Sequence, residues 1–146
     1  MKEAAAVKRL VDMIIDRYQK IESTLPLLAK ELSHTERKAL KLVAASQKMT
    51  IGHIGEALKM PPSSTTWTVN NLVKRGVFRR EPDTTDKRKT WIALAERGEA
   101  LAGLMDRIPD RIASDLLYKL DKEQREIFVE LVTAALERIE QIGAFK

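Results

Sequence analysis

Apolar residues near the N-terminus recur at alternating steps of four and three: Val7, Val11, Ile14, Tyr18, Ile21 and Leu25. That spacing is an a/d seam and predicts a helix over about residues 4–22 that needs a partner face. Leu10 and Ile15 widen the stripe, while Lys8, Asp12, Asp16 and Lys20 fall mostly away from it. Pro26 interrupts the pattern. Ser33-His34-Thr35-Glu36 then reads as a capping box, with the Ser33 hydroxyl accepting from the Glu36 amide and the Glu36 carboxylate accepting from the Ser33 amide. The helix it opens turns Ala39, Leu40, Val43 and Ala44 inward and ends near Ser46. Thr50 caps a short helix over 51–58, with Ile54 and Leu58 on one face. Gly52 and Gly55 weaken it by about 1 kcal/mol each relative to Ala, which implies close packing against a neighbour. Lys59-Met60-Pro61-Pro62 forms a turn, and because proline suits a first turn, the next helix runs from near 62 to Arg75.

Beyond Gly76 the pattern becomes strand-like. Val77–Glu81 and Lys89–Leu94 are short and rich in branched and aromatic residues, and they flank the turn residues Pro82-Asp83-Thr84-Thr85-Asp86. A helix begins near Ala95 and passes Leu101 and Leu104; Pro109 should break or kink it. The last helix follows Asp121, where Asp121-x-x-Gln124 is a second capping-box candidate. It carries Ile127, Phe128, Leu131, Ala135, Ile139 and Ile142 on one face. The order is four helices, a hairpin and two helices. The expected fold is mainly α, a winged helix-turn-helix whose terminal helices form a dimerisation bundle. The chain reads as one domain, with the winged helix at about 33–98 and the dimerisation helices at about 4–28 and 99–143. The seam residues expected to join two copies are Val7, Val11, Ile14, Tyr18, Phe128, Leu131, Ala135, Ile139 and Ile142.

Charge sharpens this picture. Between Lys59 and Thr90 stand eight Lys and Arg (59, 74, 75, 79, 80, 87, 88, 89) against three acids (81, 83, 86), a net of +5. The whole chain has 26 basic and 21 acidic side chains, the same net of +5, so this one segment holds the entire excess. The absence of cysteine excludes disulfides and cysteine-ligated metals. No apolar run approaches the roughly 20 residues that span a bilayer, and Asp12, Asp16 and Arg17 break up the apolar N-terminus. A cytoplasmic protein with no membrane partner is expected. His34 and His53 have no acidic or His-rich cluster at ligand spacing, so neither a metal nor another cofactor is expected. No nucleophile–base pair or phosphate-binding Gly-rich loop stands out, which argues against an enzyme. The scattered methionines read as core filler.

The chemistry is that of a nucleic-acid interface. With Val69 at the centre of the buried side of helix 62–75, Thr65, Thr66, Leu72 and Val73 join it, and Ser63, Ser64, Trp67, Asn71 and Lys74 face outward. Hydroxyls and free amides at a helix N-terminus suit phosphate oxygens and base edges, Asn can bond adenine, and Lys can reach guanine or phosphate. The DNA-contacting candidates on this helix are Ser63, Ser64, Thr65, Trp67, Thr68, Asn71, Lys74 and Arg75. On the hairpin the DNA-binding candidates are Arg79, Arg80, Lys87, Arg88 and Lys89, together with Asp86 as an orienting residue. Arg88 suits a narrow minor groove, and Asp86 orients it rather than touching DNA.

These motifs resemble the MarR family of winged-helix transcription regulators. Leu72-Val73-Lys74-Arg75-Gly76 matches that family's recognition-helix ending, Asp86-Lys87-Arg88 its wing, and Leu94-Ala95-Glu96-Arg97-Gly98 the strand ending that follows. The resemblance implies a homodimer joined by terminal helices, on double-stranded DNA, with recognition helices in major grooves and wings in minor grooves. It also implies a small lipophilic or phenolic effector between the dimerisation helices and the winged helix, and a repressor of a pseudo-palindromic operator. The chain departs from the family pattern at four places. Pro61 and Pro62 stand where Ser and a polar residue are usual, and Trp67 where a basic base-reading residue is common. Ala95 replaces a Thr cap, and Lys59 a turn Gly. Trp67 therefore points to stacking or thymine-methyl contact. Two other readings stay open from sequence: a winged-helix protein-interaction module anchored by Trp67, and a nucleic-acid binder without sequence preference.

Overall fold

The computed structural model describes residues 1–143. Seven helices and three strands follow in the order α1 (Lys2–Glu22), α2 (Leu27–Glu31), α3 (His34–Ser46), β1 (Lys48–Met49), α4 (Ile51–Leu58), α5 (Pro62–Lys74), β2 (Phe78–Pro82), β3 (Thr90–Leu94), α6 (Glu96–Leu117) and α7 (Lys122–Ile142). Two elements go beyond the sequence reading, the five-residue α2 and the two-residue β1, both too short to show a period. β1 pairs antiparallel with β3 (Lys48 opposite Ala93), so the hairpin becomes a three-stranded sheet of order β1-β3-β2. Pro82, which cannot donate to a ladder, lies at the end of an edge strand.

The chain divides into two compact units, residues 1–109 and the residues from 110 onward. In the first, Ala39, Leu40 and Val43 of α3, Ile54 of α4, Val69 and Leu72 of α5, and Val77, Phe78 and Ile92 of the hairpin are buried together with Leu101, Met105 and Ile108 of α6. Only Met105 among the methionines is a core residue; Met1 and Met13 are exposed, contrary to the core-filler expectation. Gly55 is a true close-packing position, since a Cβ there would lie 2.8 Å from the Thr65 hydroxyl of α5, whereas Gly52 has open space around it. At Gly98 a Cβ would meet the Val77 carbonyl at 2.1 Å, so only glycine lets the start of α6 lie on the strand entry. Lys59, in the turn position where glycine is common, adopts that residue's left-handed conformation (φ 53°, ψ 45°).

The capping expectations divide. Asp121 and Gln124 form the complete reciprocal box, with Gln124 N donating to Asp121 at 2.9 Å and Asp121 N to Gln124 at 3.0 Å. At the start of α3 the Ser33 hydroxyl accepts from the Glu36 amide at 3.1 Å, but the Glu36 carboxylate does not return to Ser33. It takes Arg75 instead, at 2.5 Å, because a guanidinium outbids one more backbone amide. Pro109 does not end α6, which continues through it to Leu117. The boundary between the compact units nevertheless falls at this residue, whose missing N–H cannot serve the Met105 carbonyl.

In the first unit α1 has no fully buried residue; Val7 and Val11 are exposed while Ile14, Tyr18 and Ile21 are half-covered. In the second, α7 also has no fully buried residue, with Leu131, Ala135, Ile139 and Ile142 exposed and Phe128 half-covered. Among the described residues no helix is long and apolar enough to cross a membrane.

Candidate nucleic-acid interface

α5 starts at Pro62, with Pro61 before it and no side-chain cap. The amides of Ser63 and Ser64 therefore remain as donors at an exposed helix start. The buried stripe of the helix is Thr65, Thr68, Val69 and Leu72, a spacing of three, four and seven. It is rotated by about half a residue step from a stripe centred on Val69. The rotation follows from two neighbours, since α5 packs against both α4 and β2. Three assignments change as a result. Thr65 is buried and its hydroxyl donates to the Pro61 carbonyl at 2.9 Å, so it faces the core and not DNA. Thr68 is buried as well. Thr66, expected inside, is exposed. The outward ridge is Ser63, Trp67, Asn70 and Lys74, of which Asn70 is half-buried, and Asn71 is half-buried beside it. Trp67 is 69% exposed.

The arginines are more committed than their charge suggests. Arg75 is half-buried, pairs with Glu36 of α3, and accepts at its carbonyl from Arg97 at 3.3 Å. It joins α3 to the end of α5 rather than projecting as a phosphate contact. Arg79 donates to the Leu94 carbonyl at 3.1 Å and pairs with Glu81, on the strand face away from α5. Arg80, on the other face, donates to the Asn70 side chain of α5 and so ties the wing to the outward ridge. Asn70 was not among the sequence candidates; its role needs a partner ten residues away.

Asp83, also missed, organises the wing tip. Its carboxylate accepts from Trp91 Nε1 at 2.8 Å, from the Asp86 amide at 2.8 Å, and from Thr85 Oγ1 at 2.9 Å and its amide at 3.3 Å. These donors, Trp91 first, hold the Asp83 carboxyl well below the usual carboxylate range. Lys48 of β1 and Lys89 lie over the Trp91 ring, 5.0 Å and 4.4 Å from its centroid. The turn chemistry of Asp83 was visible in sequence, but its bond to an aromatic eight residues on was not. On this frame Asp86 accepts from the Arg88 amide at 3.0 Å and its Nε at 3.3 Å, and the Arg88 side chain stands 92% exposed. Lys87 is exposed at the tip. Among the described residues no group of three or more His, Asp or Glu could hold a metal ion.

A groove of about 480 Å³ runs between the start of α3 (Ser33, Thr35) and the start of α5 (Met60, Ser63, Ser64, Trp67). Hydroxyls line both of its sides. The arrangement presents a helix ridge and a shaped basic loop side by side, the two parts needed to meet a duplex at a major and a minor groove.

Residues 32–90 match the MarR family. Over 128 residues the chain is 25% identical to YwhA of Bacillus subtilis strain 168, an uncharacterised HTH-type transcriptional regulator, covering 84% of this chain and 90% of the relative. Its fold is similar to that of MepR of S. aureus bound to ethidium bromide, with a TM-score of 0.79 and 18% identity over 93% of this chain and 95% of that one. It is also similar to Streptococcus pneumoniae FabT in complex with DNA, with a TM-score of 0.73 and 16% identity over 96% of this chain and 99% of the other.

Proposed function

We propose that this chain, whose residues 32–90 match the MarR family and which is similar to an HTH-type transcriptional regulator over most of its length, is a DNA-binding winged-helix transcription regulator of that family, acting as a homodimeric, ligand-responsive repressor of a pseudo-palindromic operator. One observation carries the reading of the site: the outward ridge of α5 and strand β2 of the wing are tied through Asn70 and Arg80, with Arg88 presented clear of the surface by Asp86. In this reading Ser63, Ser64, Trp67 and Lys74 enter the major groove, and Arg88 enters the minor groove where its negative potential is deepest. Lys74, Arg80, Lys87 and Lys89 supply phosphate contacts.

The dimer is supported by apolar faces that the single chain does not cover. Val7 is 61% exposed and Val11 47% on α1; Leu131 is 64% exposed and Ile139 57% on α7. Apolar stripes of this kind mark association surfaces. In the proposed dimer these faces meet those of a second copy and set two recognition helices about one DNA turn apart. For an effector the support is the likeness to MepR, bound to ethidium bromide. A small lipophilic or phenolic ligand would favour a dimer whose helix spacing no longer matches that turn.

Selection of binding sites from a random duplex pool by the purified protein tests the reading. A two-fold symmetric site, a steep loss of affinity with salt, and release by a lipophilic or phenolic ligand are expected. Selection of no sequence over random duplex would overturn the regulator reading. Strong binding without preference would leave a general nucleic-acid binder in its place.

A further inference from the structure

Ser63, Trp67, Asn70 and Lys74 form the outward ridge of α5, and three of the four offer hydrogen-bonding or charged groups to a base edge. Trp67 does not fit that set. It sits in the middle of the ridge, uncovered, with a large apolar ring and a single side-chain donor, the indole N–H, which makes no hydrogen bond within the described residues. An indole cannot form the bidentate pairs by which Arg reads guanine or Asn reads adenine. The major groove offers one apolar feature, the C5-methyl of thymine. We infer that Trp67 is a specificity-determining residue that reads a thymine methyl, so that each operator half-site carries a required thymine opposite the centre of α5. This deepens the DNA-binding reading above and rests on it.

The neighbours support the assignment. The Asn70 side-chain oxygen accepts from the Arg80 guanidinium, so that acceptor is engaged before DNA arrives. Arg75 is held by Glu36. The centre of the ridge is thus left to an apolar side chain, flanked by a hydroxyl one turn earlier and a lysine two turns later.

Replacing thymine by deoxyuridine removes the methyl and keeps every hydrogen-bonding group, which isolates the proposed contact. The experiment takes the site selected by the full-length protein and replaces each thymine by uracil in turn, in both half-sites. One thymine per half-site should respond, by roughly fourfold for one methyl and about fifteenfold for both, at the usual worth of a buried methyl group. Cytosine at that position should bind more weakly still, and 5-methylcytosine should recover part of the loss. Trp67→Ala should bind the thymine and uracil forms equally, while Trp67→Phe keeps the discrimination. Since Trp67 is exposed, both variants should unfold at the wild-type temperature. A selected site at which no uracil replacement matters overturns the role of Trp67 and leaves the regulator reading intact, as does equal sensitivity in Trp67→Ala. Failure to select any site overturns the sequence-specific regulator reading itself, and the inference with it.

Discussion

Lys74 and Arg75 stand side by side at the end of α5 with the same charge, yet Lys74 is exposed while the Arg75 guanidinium lies 2.5 Å from Glu36. Their substitutions should therefore separate. Lys74→Ala should reduce the slope of log affinity against log salt by about one per protomer without changing the unfolding midpoint. Arg75→Ala should leave that slope unchanged and cost about 2 kcal/mol, because the Glu36 carboxylate loses its charged partner in a mostly buried position. Salt titrations and urea unfolding of the two variants check this; a flattened slope in Arg75→Ala would return that residue to the DNA surface. Gly98→Ala is a second test of packing. Its Cβ would collide with the Val77 carbonyl, so a loss of about 1–3 kcal/mol or more is expected in the same unfolding assay.

The wing is a hairpin whose tip is held by one carboxylate rather than by its strands alone. Folding lowers the pKa of Asp83, so its contribution is fully present above about pH 4, the ordinary carboxyl value, and is lost only as pH falls through the lower folded value. The Trp91 indole N–H resonance should thus stay in place from pH 7 to pH 4. In Asp83→Asn it should move, its exchange should quicken, and operator affinity should drop several-fold as Arg88 loses its fixed mount. An unmoved resonance in that variant would show that the tip does not depend on Asp83. The connector between α1 and α3 is tied in a comparable way. Arg37 of α3 donates to the Leu32 carbonyl at 3.3 Å and the Ala29 carbonyl at 3.1 Å, and pairs with Glu22 at the end of α1. Arg37→Ala should cost about 2 kcal/mol and raise amide exchange over residues 23–32, with exchange in α5 unchanged.

Apolar faces on α1 and α7 remain uncovered in the single chain, and their occupant in the proposed assembly is another copy. Charges placed there should separate the copies without unfolding them. In sedimentation, Val11→Glu combined with Leu131→Glu should shift the protein toward monomer while its helical signal persists, because both side chains are exposed in the single chain. Operator affinity should fall as the dimer is lost, since one recognition helix then binds without its mate. A charged variant that stays dimeric would move the interface elsewhere.

Local order in the chain was enough for the helices, the hairpin and the charge excess. The seam from Val7 to Leu25, the caps at Ser33, Thr50 and Asp121, and the turn around Asp83 depend on residues within a few positions of one another, and period and turn chemistry report them. Element boundaries followed to within one or two residues at the caps and at Pro62, but not at Pro109, through which α6 runs on to Leu117. Side-chain destinations did not follow, because they depend on neighbours distant in sequence. Glu36 left its cap for a guanidinium 39 residues away. The buried stripe of α5 turned toward Thr68 because α4 and β2 pack on it from two sides. Asp83 became the centre of the wing only once the hairpin brought Trp91 across. The sequence alone determined that a basic winged helix exists; tertiary packing decided which of its polar residues remain available to a partner and which are spent on holding the fold.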